Sequence, residues 1–351
     1  MKTLLRLLVK NQHQRNGSGL AKTENGMTLV ELLVGSIMAF LIITPMLGFV
    51  VDMLNTDRRE QVKSNTEQDL QAAVDFIAQD LSQAIYIYDQ AGINDIQKTT
   101  KLASSPANTT GTPILVFWKR QQMKNSLPIN EVINEKVKPI QCDQPANAGI
   151  NCNDTYVLSL VAYYQIKDTT PSPTWCQPSG GNCPTRIARY EIREPIRNPY
   201  TKDATQPYYG PADLNDGQKG SDTFNPKFSF SKPTEEVTTG GSTNPQVLVN
   251  YIDHNSKPLA GNECRTALGN PTDPKDTTKS LDEDTLKITD TAKTINSFYA
   301  CVDTARNVAR VTIRGNSLRR LQPSDVASSA ENSAFFPTAS VQVKGLSGLG
   351  K

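Results

Sequence analysis

One carboxylate stands in an otherwise apolar run. From Met27 to Val51 the single ionisable side chain is Glu31, five residues after Gly26. At mid-bilayer such a group costs about 2.5–3.5 kcal/mol, and less near the interface. It therefore needs a wet position or a counter-ion. Cleavage between Gly26 and Met27 would supply one: a new α-amine, with a reference pKa of about 7.7–8.0, is largely protonated near neutral pH. Four residues of helix make roughly one turn, so amine and carboxylate can meet. They can close within one chain or between two packed chains, and only the second joint builds an assembly.

The second set of reactive groups is six cysteines: Cys142, Cys152, Cys176, Cys183, Cys264 and Cys301. All follow the apolar run, and an even count outside the cytoplasm suggests three disulfides. Spacing leaves several connectivities open. Neighbour pairing, Cys142–Cys152, Cys176–Cys183 and Cys264–Cys301, is the expected one, because the first two pairs would staple short polar loops. Zinc is the rival use of these thiols. Against it, no CxxC occurs and His254 is the one histidine after position 26.

Other chemistry has less support. A nucleophilic triad would depend on His254 beside Asp253, and no carboxylate spacing marks a glycosidase pair, so no catalytic residue is expected. Asp273, Asp276, Asp282, Asp284 and Asp290 form an oxygen-rich stretch that is a calcium candidate, without the ligand order of an EF-hand. A solvated acidic loop is the default, and no metal or cofactor is expected. Tyr200, Tyr208, Tyr209 and Phe224 could stack on sugar rings or on a partner, but closing their loop onto a sheet is the favoured role. Arg319 and Arg320, with Arg314 near, form a small basic patch that could meet an anionic polymer, but a solvated edge of the sheet is the favoured reading.

The elements that must position these groups follow from pattern. As a helix, residues 27–51 would reach roughly 37 Å, enough for a bilayer core of about 30 Å. The upstream segment carries five basic side chains and one acid, so it should stay cytoplasmic, with everything after Asp52 outside. Formal charge is +2 for the 351 residues, and removing the leader turns it slightly negative. That balance gives no signal for nucleic acid. Pro45 should kink or locally melt the helix near Ile42–Met46. The helix is expected to continue to Tyr88, with Leu70, Ala73, Val74, Ile77, Leu81, Ala84, Ile85 and Tyr88 on one apolar face.

Strand-like runs follow at Ile114–Trp118, Tyr156–Ile166, Arg186–Ile192, Gln246–Ile252, Phe298–Val302, Asn307–Ile313 and Ala339–Val343. In the stretch Arg306–Arg314, Val308, Val311 and Ile313 oppose Arg310, Thr312 and Arg314, with Ala309 breaking the alternation. Without helical patterns between strands, antiparallel sheet is expected rather than βαβ units. The fold class is α+β: a long N-terminal helix packed on antiparallel sheet, with long disulfide-stapled loops at about 89–112, 119–154, 193–245 and 253–294. The expected division is leader 1–26, membrane helix 27–51, arm helix 52–88 and β-rich domain 89–351.

Gly26-Met27-Thr28-Leu29-Val30-Glu31 and the apolar run resemble the processing signal of type IV pilins and pseudopilins. The resemblance implies a prepilin peptidase that cuts after Gly26 and methylates Met27. It also implies that Glu31 docks on a neighbouring subunit. Met27 replaces the commoner phenylalanine. The stretch from Gln68 to Ala84 is similar, more loosely, to the J-type minor pseudopilin of type II secretion. The implied partners are other minor and major pseudopilins and an inner-membrane assembly platform. The implied location is the inner membrane, crossed once, with the C-terminal domain periplasmic. The leader length and the Met27–Val34 start also resemble pseudopilins of cyanobacterial hormogonium polysaccharide secretion, which implies polysaccharide export and gliding motility. A pilus-tip adhesin or sugar-binding minor pilin, using the 193–245 loop, is the alternative.

Overall fold

The computed structural model describes residues 28–99, 110–129, 138–142, 151–168, 174–180, 183–203, 205, 207–220, 246–253, 261–289, 296–324 and 326–346. The leader, Gly26, Met27, Phe224, His254 and Asp290 lie outside these. The chain divides into two units, one ending at Asp57 and one beginning at Arg58.

In the first unit, helix α1 (Leu29–Ser82) starts and presents exposed side chains all round to Asp57. A helix apolar on every face has no soluble core to bury into and suits lipid. This is one helix long and apolar enough to cross a membrane. It runs through Pro45 without a break, so the melting expected near Ile42–Met46 is not present. Thr44 Oγ1 donates to the Phe40 carbonyl at 2.8 Å, local back-bonding beside the donor that proline lacks.

In the second unit, α1 becomes amphipathic. Leu70, Ala73, Val74, Ile77 and Leu81 are buried at helical spacing, each large aliphatic worth about 1.5–3 kcal/mol. Contrary to expectation, the helix ends at Ser82 rather than Tyr88. Gln83 N–H reaches the Asp80 carbonyl at 3.2 Å, and Ala84–Ile87 leaves as strand β1. Ala84, Ile85, Ile87 and Tyr88 are all buried, so both faces of this stretch enter the core. A strand buried on two sides satisfies that; a one-faced helix does not.

Helix α2 (Gln90–Thr99) follows, inside what was expected to be loop. Asp89 caps it: its Oδ1 accepts from Gly92 N–H at 2.7 Å and its carbonyl from Ile93 N–H at 2.9 Å. A Cβ on Gly92 would meet Tyr88 Cδ1 at 2.8 Å, so the turn of chain needs glycine there. Strands β2 (Thr110–Pro128), β3 (Cys152–Lys167), β4 (Thr185–Arg193) and β5 (Gln246–Ile252) complete a five-stranded antiparallel meander in the order β1-β2-β3-β4-β5.

The expected loop 253–294 also holds structure. It contains short helix α3 (Glu263–Ala267), hairpin β6 (Thr272–Asp273) and β7 (Asp276–Ser280), short helix α4 (Glu283–Leu286) and β8 (Lys287–Ile288). With β9 (Phe298–Asp303), β10 (Val308–Arg314) and β11 (Thr338–Lys344), β8 makes a four-stranded antiparallel sheet ordered β11-β10-β9-β8. Ala309, Val311 and Ile313 point into the main core, so Ala309 keeps the alternation; Val308 is the residue on the other face, against a small cluster around Cys264, Leu268, Leu286 and Tyr299. One contiguous core joins α1, α2 and both larger sheets. The architecture is α+β.

The three disulfides are Cys142–Cys152, Cys176–Cys183 and Cys264–Cys301. The first ties a 3₁₀ turn at Pro139–Gln141 to the start of β3, the second closes the turn before β4, and the third joins α3 to β9.

Candidate functional site

The helix start is built by Thr28 and Glu31. Thr28 is the cap: its carbonyl accepts from Leu32 N–H at 3.1 Å and its hydroxyl from Glu31 N–H at 3.3 Å. Threonine followed three residues later by glutamate is a capping-box pattern, a signal readable in the sequence that the reading above did not use. Glu31 lies in the first turn, at the positive end of the helix dipole, and its side chain is exposed. The helix thus begins two residues after Met27, not at it. Position 31 enters the cap through its backbone N–H, and its carboxylate is exposed in the first turn. Of the expected processing residues, Gly26 and Met27 lie outside the described residues and Glu31 lies within them.

A second constellation sits in the β-rich unit. Asp80, on the inner face of α1, accepts from Arg189 Nε at 2.6 Å, Tyr163 Oη at 2.7 Å and Lys119 Nζ at 3.0 Å. Glu191 pairs with Arg189 at 2.7 Å and with Lys119 at 3.6 Å. Helix, β2, β3 and β4 are therefore joined by one buried charge network. Burial alone would raise the Asp80 carboxyl; the Arg189 hydrogen bond and the Lys119 and Arg189 charges outweigh it and hold the group below the usual carboxylate range. Glu191 is held down in the same way, burial being outweighed by Lys119 and Arg189. The Tyr163 phenol is pushed up, first by burial and then by the Asp80 charge, so it donates as a neutral hydroxyl.

No family model, curated protein or solved structure matches this chain.

The remaining candidates resolve individually. Tyr200 Oη donates to the Pro128 carbonyl at 2.7 Å, Tyr208 Oη to Glu194 at 3.1 Å, and Tyr209 packs with Val157, Ile196 and Leu214. The Tyr208 hydroxyl and the Tyr209 ring are thus engaged by the sheet, while Tyr200 is held by its hydroxyl and keeps 41% of its surface exposed. Asp273 and Asp276 accept from backbone N–H groups of Lys275 and Thr278 in their own turns. Asp282 is the cap residue of α4 and Asp284 lies within that helix. Among the described residues no three His, Cys, Asp or Glu side chains converge on a metal position.

The arginine patch is corrected. Arg319 is only 1% exposed and donates to the carbonyls of Gln177, Pro178 and Gln322. It braces the Cys176–Cys183 turn. Arg314 pairs with buried Asp253 at 2.6 Å, and Arg320 pairs with Asp69 on α1. Neutral carbonyl partners leave no charge pattern in the sequence, so the buried bracing role of Arg319 could not be read there.

The network predicts an acid limb in stability. Asp80 and Glu191 have folded pKa values below their ordinary 3.8 and 4.5. Both bind protons more readily when unfolded, so stability rises with pH through this window. Their contribution is complete above about pH 5 and declines as pH falls through the ordinary carboxyl range toward the lower folded values. Thermal melts of the detergent-solubilised protein at pH 7, 5, 4 and 3 should show this. Glu191→Gln should flatten the limb; an unchanged pH slope would contradict the assignment.

Proposed function

We propose that this chain is a minor pseudopilin, a structural subunit of a type II secretion or type IV pilus-like assembly. One observation carries the reading: a lone carboxylate at the head of an all-round apolar helix, five residues after a glycine, on a chain whose outer part is an α+β domain. In this proposal a prepilin peptidase cuts after Gly26 and methylates Met27. The helix then rests once across the inner membrane, with the β-rich domain in the periplasm. Glu31 docks against the N-terminal amine of a neighbouring minor or major pseudopilin as the assembly platform adds subunits.

Likeness at the N-terminus extends the proposal to polysaccharide export and gliding motility.

Mass spectrometry of protein recovered from its own cells tests the reading. The expected N-terminal peptide begins at Met27 and carries one methyl group. A peptide beginning at Met1 removes the electrostatic joint and with it the proposal.

A further inference from the structure

Above the buried network lies an open groove of about 490 Å³ between the end of α1 and strands β2 and β3. That volume falls in the small-molecule range of about 300–1,000 Å³. Its floor is Asp80, Lys119 and Arg189, whose charges are matched to one another and to Glu191. Its walls are different. Arg120 is exposed, and no acid among the described residues pairs with it. Its guanidinium lies over the Tyr156 ring at 3.7 Å from the centroid. Stacking occupies the guanidinium face and leaves the N–H edge free, the edge that grips a carboxylate with two parallel hydrogen bonds.

Phe76, also lining the groove, keeps 38% of its surface exposed although it sits on a helix packed against sheet and the Arg189 guanidinium lies 5.8 Å from its ring centroid. The amides of Gln79 on α1, of Gln83 just past its end and of Gln122 on β2 also line the groove. Gln122 Nε2 already donates to Asp154 at 2.8 Å, which leaves its oxygen as an acceptor. Each glutamine amide offers a donor and an acceptor on adjacent atoms, a match for neighbouring hydroxyls on a ring.

We propose that this groove binds a hexuronic-acid unit of an acidic glycan. The sugar carboxylate takes the Arg120 edge, the apolar ring face lies on Phe76, and the hydroxyls meet Gln79, Gln83 and Gln122. An acidic peptide would use the guanidinium but has less use for three amides and an exposed ring platform. A single unmatched cation also fits one carboxylate per unit rather than a dense polyanion. The inference rests on the groove alone and not on assembly or on any exported cargo.

Calorimetric titration of the full detergent-solubilised chain with trigalacturonate is the test. Saturable binding is expected, weakened by about tenfold or more in Arg120→Gln, since a charge-assisted hydrogen bond is worth at least that much. The methyl-esterified trisaccharide, which keeps the rings and loses the charge, should bind the unaltered protein about tenfold more weakly or worse. That arm needs no variant to fold. Lys124→Gln, an exposed cation of β2 outside the groove, should leave affinity unchanged. Three results would each overturn the proposal: no binding of trigalacturonate at millimolar concentration, equal loss in Lys124→Gln and Arg120→Gln, or tighter binding of triglutamate. None of them bears on whether the chain begins at Met27.

Discussion

Glu31→Ala is expected, on the proposed pseudopilin function, to abolish co-purification with partner subunits, while the chain still enters the membrane and is still cut after Gly26. Alanine is more apolar than glutamate, so insertion should improve slightly. What disappears is the negative partner for a neighbour's α-amine. A second effect must be separated, because a carboxylate in the first turn also favours the helix dipole and fits a capping-box position. Glu31→Gln separates the two jobs. Glutamine serves in a capping box as glutamate does, but carries no charge. If Glu31 acts through charge, Gln fails as badly as Ala, with at least about a tenfold loss of recovered partner; a buried charge pair broken on one side costs about 3–5 kcal/mol. If its work is confined to capping, Gln assembles normally and the docking role is wrong. Retained assembly in both variants would mean that Glu31 has no part in the joint, by charge or by capping.

Asp80→Ala should be the most damaging single change in the β-rich unit. It strips the acceptor shared by Lys119, Tyr163 and Arg189 while the first two remain buried and the third half-buried. Leaving buried charge unmatched costs about 3–5 kcal/mol. For a unit of this size each kcal/mol moves the melting temperature by roughly 2–4 °C, so a fall on the order of 6–20 °C is expected. Glu191 stays beside both cations and keeps the loss from being larger. Tyr163→Phe removes one donor of three and should cost only about 1 kcal/mol. Calorimetry on the two variants checks the order. A fall of less than about 1 kcal/mol for Asp80→Ala would mean the network is incidental.

How much could be read beforehand depended on range. The lipid-facing helix and most strands rest on local pattern, and the observed strands overlap the expected ones, usually extending beyond them. Local pattern failed where tertiary pairing won. Ala84 to Tyr88 keeps helical spacing with the residues before it, yet β2 recruits it as a strand. Ala309 seemed to break an alternation because alanine is small; burial shows Val308 facing a separate cluster instead. The loop before β2 hid α2, whose cap at Asp89 and buried Ile93 and Ile96 are separated by polar residues. The Asp80 network and the groove above it draw on positions 80, 119, 156, 163 and 189, which nothing in the sequence links. Arg319 shows the same limit for neutral partners.

The disulfides carry a consequence for how the chain matures. Each cysteine is bonded to the next one in the chain: Cys142 to Cys152, Cys176 to Cys183, Cys264 to Cys301. A polypeptide whose cysteines entered an oxidising space in chain order would meet every correct thiol before any wrong one. Simple first-come oxidation then yields the native set, and a catalyst that reshuffles mispaired sulfurs has nothing to correct.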